Sequence, residues 1–169
     1  VRGHTGGILS AMIDISGLSG DHTIVLGRYM NLTVDGSHSG NIDFRIDETA
    51  RGYLSASNSA DTITGSSLND RIYGNGGNDT IAGGAGNDRL SGGGGRDIFE
   101  MTLGDGRDTI TDFQTGASGD RLDLTGYYHL RSFSDLDLVQ VGSAVRLDLN
   151  ANDSVTFEDT NVAAFTADN

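Results

Sequence analysis

Between residues 56 and 100 an apolar side chain returns every nine positions, at Ile63, Ile72, Ile81, Leu90 and Phe99. Two positions before each stands an aspartate: Asp61, Asp70, Asp79, Asp88 and Asp97. The five units read ASNSADTIT, GSSLNDRIY, GNGGNDTIA, GGAGNDRLS and GGGGRDIFE, and glycine opens four of them. Each unit divides into six turn residues and a three-residue strand whose middle side chain is the apolar one. One inward side chain cannot bury itself alone, so stacked copies are required and the repeat predicts a solenoid. A plain glycine-rich linker would not hold aspartate and an aliphatic in fixed register over five units.

The flanks carry a different rhythm. Residues 1–55 hold short apolar alternations at Ile13 and Ile15, Ile24 to Leu26, Leu32 and Val34, and Ile42, Phe44 and Ile46. They return about every 8–12 residues with Gly, Ser and Asn between them, which predicts short strands of an all-β unit. These strands read as further coils or a cap of the solenoid, with a separate ligand-binding β-domain as the other reading. Residues 101–169 leave the nine-residue period but keep its chemistry in Asp108-x-Ile110 and Asp120-x-Leu122. Strand-like alternation follows at Leu136 to Val141, Val145 to Leu149 and Val155 to Phe157. The expected division is therefore 1–55, 56–100 and 101–169.

Composition sharpens the picture. The chain has 169 residues, with 26 glycines, no proline and no cysteine, and a net charge of −13. Of its acids 21 are Asp and only three are Glu (Glu48, Glu100, Glu158), and all 11 basic residues are arginine. Asp beside Gly belongs to turns, where the short carboxylate bonds to nearby backbone, and it suits hard cations. The absence of cysteine excludes disulfides and thiolate sites. The negative charge argues against nucleic acid as a partner. No apolar run approaches the ~18 residues of a membrane span. The chain starts at Val1 without a charged-then-apolar leader or an initiator Met, which reads as a fragment or processed piece of a larger protein.

Spacing then points to a metal. If two units make one full coil, units one, three and five turn on one edge, and units two and four on the other. Stacked turns lie about 4.8 Å apart, and calcium–oxygen distances run about 2.3–2.6 Å, so a calcium between two turns reaches oxygens on both. The expected pairs are Asp61 with Asp79, Asp79 with Asp97, and Asp70 with Asp88. Backbone carbonyls of the glycine-rich turns complete the shell: Gly74, Asn75, Gly76 and Gly77 in unit three, Gly83, Gly84 and Gly86 in unit four, and Gly92, Gly93 and Gly95 in unit five. Several calcium ions are expected. Without them the stacked carboxylates repel and the glycine-rich chain is costly to order, so calcium supplies folding free energy.

The register GGxGxDxUx, met in full by GGAGNDRLS and nearly so by GNGGNDTIA, resembles the RTX family of calcium-loaded parallel β-rolls. The stretch GDGRDTITDFQTGASGDRLDLTG is similar to the flank that follows β-rolls in serralysin-type proteases and mannuronan C5-epimerase modules. The resemblance implies an all-β fold, a right-handed parallel β-roll with flanking capping strands. It implies further ligands at Asp108, Asp112 and Asp120. It also implies a secreted or cell-surface protein exported by type I secretion machinery, with a secretion signal near VAAFTADN.

Other chemistries find little support. His4, His22, His38 and His129 lack the short spacing of a zinc site. The close glycines of GNGGNDTIAGG are followed by neither a helix nor a lysine, so they do not form a phosphate loop. No serine has the context of a nucleophile, and the chain is read as a non-catalytic module. A polysaccharide is the alternative partner, with Tyr53, Tyr73, Tyr127 and Tyr128 as stacking candidates.

Overall fold

The computed structural model describes residues 9–14, 22–26, 30–35, 42–46 and 53–165. Fifteen strands among them form two sheets. The five units supply β6 (Thr62–Thr64), β7 (Arg71–Tyr73), β8 (Thr80–Ala82), β9 (Arg89–Ser91) and β10 (Ile98–Glu100). Each is three residues long, as the repeat predicts, because the six residues before it turn the chain back.

Strands alternate between the sheets. One sheet runs β1 (Leu9–Asp14), β3 (Met30–Asp35), β5 (Tyr53–Ser55), β7, β9 and β11 (Arg107–Ile110) in order. The other runs β2 (His22–Leu26), β4 (Ile42–Ile46), β6, β8, β10 and β12 (Arg121–Asp123). All of these neighbours pair in parallel. The upstream strands thus pair in the same two-sheet alternation as the repeat. Ile15, expected in the first strand, lies outside the described residues.

Register stacks like on like. Leu54 is opposite Ile72, Ile72 opposite Leu90, and Leu90 opposite Ile110. In the second sheet Ile63, Ile81, Phe99 and Leu122 form the matching column. Alternate side chains of a strand face opposite sides, so the middle residue of each triplet points between the sheets. Ile63, Ile72, Ile81, Leu90 and Phe99 are accordingly buried. Fully burying a side chain of this size contributes about 1.5–3 kcal/mol.

After β10 the period breaks but the pairing holds. Asp108 and Asp120 sit at the starts of the next two strands, with longer turns before them. β15 (Ser154–Phe157) then pairs in parallel with β11, and β14 (Ala144–Asp148) and β13 (Asp137–Val141) add in antiparallel order. This reversal ends the first sheet. Beneath it Phe113 meets Phe99, Phe157 and Phe165 at ring-centroid distances of 6.0, 4.8 and 5.7 Å. No helix among the described residues is long and apolar enough to cross a membrane.

Candidate metal centre

Asp61, Asp70, Asp79, Asp88 and Asp97 are all buried, the most exposed at 2%. Each closes its turn just before a strand, so its carboxylate lies along the edge of the roll rather than in solvent. There the carboxylates of Asp79, Asp88 and Asp97 meet the backbone of the coil before them. Asp61 N–H donates to Asp79 Oδ1 at 2.8 Å, and Asp79 N–H donates to Asp97 Oδ1 at 2.9 Å. Asp97 N–H continues to Asp120 Oδ1 at 3.0 Å. On the other edge Asp70 N–H donates to Asp88 Oδ1 at 2.7 Å, and Asp88 N–H to Asp108 Oδ1 at 2.9 Å. The structure thus brings together each aspartate pair expected from the spacing and extends both ladders into the flank.

The second carboxylate oxygens are treated unequally. Asp61 Oδ2 accepts from Ser57 N–H and Oγ–H at 3.0 and 2.8 Å. Asp70 Oδ2 accepts the same pair from Ser66 at 2.7 and 2.8 Å. Asp120 Oδ2 accepts from Gln114 N–H at 2.8 Å. Among the described residues Asp79 Oδ2, Asp88 Oδ2 and Asp97 Oδ2 are the buried side-chain oxygens left without a hydrogen-bond partner.

A carboxylate so placed resists ionisation. Burial, then the neighbouring Asp97 and Asp61, push Asp79 up to about 7 against the pull of the Asp61 N–H. Burial, with Asp108, Asp70 and Asp105, carries Asp88 to about 8 despite the Asp70 N–H. Asp108 rises to about 7, mainly by burial, and Asp97 and Asp120 rise for the same first cause. An unpartnered buried oxygen costs about 1–3 kcal/mol, more when charged, and a bound ion is one of its ordinary explanations.

The turns are built for close approach. A Cβ on Gly74, Gly83 or Gly92 would lie 2.3, 2.4 or 2.1 Å from the Oδ2 of Asp79, Asp88 or Asp97. Each lone carboxylate therefore leans over the glycine that opens its own unit. Neighbouring turns also touch through carbonyls. Gly95 has φ +135°, and a Cβ there would fall 1.6 Å from the Gly77 carbonyl oxygen of the turn before. Gly84, Gly86 and Gly93 pack the same way on Ser66, Leu68 and Asn75, while Gly76 bridges to Gly94. Among the described residues no three His, Asp or Glu side chains converge at one point. The donor set that fits is one or two carboxylate oxygens with backbone carbonyls from stacked turns, which suits a hard cation of high coordination number.

Asn75 and Asp112, both expected ligands, bond to neighbouring turns. Asn75 donates its side-chain amide to the Ala56 carbonyl at 2.6 Å, and its backbone carbonyl accepts from Gly94 N–H at 2.7 Å. Asp112 accepts from Ser91 Oγ–H and from the N–H groups of Gly92 and Gly93, at 2.6, 3.1 and 2.9 Å. It staples the fifth turn rather than joining a ladder.

The sequence reading did not pick out Asp105 and Asp153. Asp105 closes its turn through Thr102 N–H and Oγ1–H. Burial raises Asp153, but Gly104 N–H, Asn150, Tyr127 O–H and Gly106 N–H outweigh it and hold the carboxyl below the ordinary range. The Gly-Asp-Gly of 104–106 and the Asn-x-x-Asp of 150–153 were the available signs. Tyr127, named as a sugar-stacking candidate, is fully buried and donates to the Thr102 carbonyl at 2.7 Å, so it offers no face to a ligand. Tyr128 beside it is 77% exposed, and the half-buried Tyr53 and Tyr73 rings lie 5.5 Å apart. His129 touches the Leu149 carbonyl and the Tyr127 ring, and His4 and His38 lie outside the described residues.

Residues 64–99 match the profile of the RTX calcium-binding nonapeptide repeat, in four copies. No curated protein matches the chain. Among solved structures the chain is similar to the extracellular lipase LipA from Serratia marcescens, at 16% identity and a TM-score of 0.42. That alignment covers 99% of this chain and 40% of the lipase.

Proposed function

Because residues 64–99 are RTX calcium-binding nonapeptide repeats, we propose that this chain is a calcium-dependent structural module of a larger secreted protein. The repeats themselves are a non-catalytic structural module. In this reading the chain folds only after export through a type I system, when it meets extracellular calcium. In the calcium-poor cytosol the stacked carboxylates keep it open, which suits passage through a narrow channel.

The observation that carries this reading is the set of three buried, unpartnered oxygens on Asp79, Asp88 and Asp97. Those carboxylates and carbonyls of the adjoining glycine-rich turns would hold the ions, with Asp108 and Asp120 extending the ladders. Bound calcium supplies the positive charge that the stacked aspartates lack. The chain's own part is to align the oxygens, exclude water from them and carry the bonded strands between them.

Circular dichroism tests it. Adding calcium to chelated protein should raise the β signal, with midpoints around 10⁻⁴–10⁻³ M as for extracellular modules. Magnesium should substitute poorly because it demands smaller octahedral sites. An unchanged β spectrum in excess EGTA would rule the proposal out. A second reading, a polysaccharide-binding accessory module, draws on the Tyr53–Tyr73 pair. Glycan-array binding that Tyr73→Ala abolishes would favour it.

A further inference from the structure

The turns of this roll fall into two classes that differ in backbone as well as in hydrogen bonding. In units three, four and five the second position is left-handed, at Asn75 (φ 75°), Gly84 (86°) and Gly93 (93°). The fourth position has positive φ as well, at Gly77 (117°), Gly86 (134°) and Gly95 (135°). These are the turns whose aspartate keeps a buried, unpartnered oxygen.

Units one and two have serine at the second position, and neither Ser57, Ser59, Ser66 nor Leu68 has a positive φ. There the serine gives both its N–H and its hydroxyl proton to the aspartate of its own turn. The hydroxyl oxygen in turn accepts the N–H of the fourth residue, Ser59 or Leu68, at 3.1 Å in each case. The turn is thus closed by a chain running from amide to hydroxyl to carboxylate.

The carboxylates also sit differently. A Cβ on Gly65 would lie 3.1 Å from Asp70 Oδ2, against 2.1–2.4 Å at the openings of units three to five. Unit one carries a real Cβ at that point, in Ala56, and its aspartate is held by Ser57 instead. A hydroxyl and an amide thus supply the donors that an ion would otherwise replace.

We propose that calcium binding in this chain starts at unit three, and that Ser57 and Ser66 stand in for the ion in the first coil. On one edge Asp79 and Asp97 take calcium, between Asp61, closed by Ser57, and Asp120, closed by the backbone N–H of Gln114. On the other edge Asp88 takes it, next to Asp70, closed by Ser66. The first coil then keeps its turns without metal and offers a preformed end on which units three to five stack when calcium arrives.

This inference rests on the proposed calcium reading, and the wild-type arm of the test separates the two. Bound calcium is counted by equilibrium dialysis for the whole chain, for Asp70→Asn and for Asp88→Asn. Asp70→Asn should bind as many ions as wild type, and Asp88→Asn fewer. A wild type that binds no calcium would sink the parent reading. A wild type that binds it, with Asp70→Asn losing as much as Asp88→Asn, overturns this inference alone. Hydrogen exchange on unmutated protein in EGTA stays informative even if a variant misfolds. Residues 62–64 and 71–73 should exchange more slowly than 80–82, 89–91 and 98–100, whereas equal rates across all five strands would refute the serine closure.

Discussion

Two carboxylates of the same repeat position, Asp70 and Asp88, differ in what the second residue of their turn offers them, a serine hydroxyl at Ser66 or nothing at Gly84. That exchange decides whether the outer oxygen is bonded or bare. The burial of the bare carboxylates also governs how the roll answers pH. Without metal, Asp79 and Asp88 are raised from the ordinary 3.8 to about 7 and about 8. The folded chain then keeps protons that the unfolded chain releases, so their stabilising effect is full below about pH 4 and is lost as pH climbs through about 7–8. In chelator the β signal should therefore rise as the buffer moves from about pH 9 to about pH 5. With calcium present the same protons compete for the carboxylates, and the calcium midpoint should shift upward on acidification. A metal-free spectrum that lost β signal in acid would contradict the first expectation, and a calcium midpoint unmoved by pH the second. Asp79 stands between Asp61 and Asp97 in its ladder, and its outer oxygen is bare, whereas that of Asp61 is held by Ser57. Asp79→Ala should thus lower calcium stoichiometry and the melting temperature more than Asp61→Ala at equal calcium, by titration calorimetry and a thermal melt. Equal losses would mean that Asp61 serves a calcium of its own.

A three-residue strand offers one inward side chain, so each coil depends on it heavily. Ile81 is fully buried between Ile63 and Phe99 in its column. Ile81→Ala should cost about 2–5 kcal/mol, read as a lower melting temperature in saturating calcium. Thr80→Ala, which alters a partly buried neighbour, should cost far less, and equal costs would argue against the inward column. These strands were legible in the sequence because period and chemistry coincide: turn glycines, an aspartate and an aliphatic recur in one register. The ladder pairs were legible for the same reason, since 18 residues return the chain to the same edge. The serine closures were not, because Ser57 and Ser66 read only as departures from glycine until the turn brings them onto Asp61 and Asp70. Tyr127 misled for a similar reason. Adjacent tyrosines look alike in sequence, yet strict alternation is lost in the cap, and only one of the two turns inward.

At the scale of the molecule, both sheets grow by one strand per coil until the cap, where β14 runs antiparallel to its neighbours and the stacking stops. The aromatic group around Phe113 sits at that end. Its consequence concerns slippage. Because the strand triplets are nearly interchangeable, a shift of the chain by one full coil would still set aspartate against aspartate and aliphatic against aliphatic. Hydrogen bonding alone would scarcely distinguish the frames, and weakly specified strands are prone to such alternates. Phe99 breaks the degeneracy. It is the one aromatic among the five repeat side chains, and its ring meets Phe113. Sliding by a coil would drive that ring into a space shaped for isoleucine and leave a void beside Phe113, at a cost typical of overpacked and emptied cores. A single bulky side chain in the last unit thus acts as a frame marker, telling an otherwise repetitive polymer where its count ends.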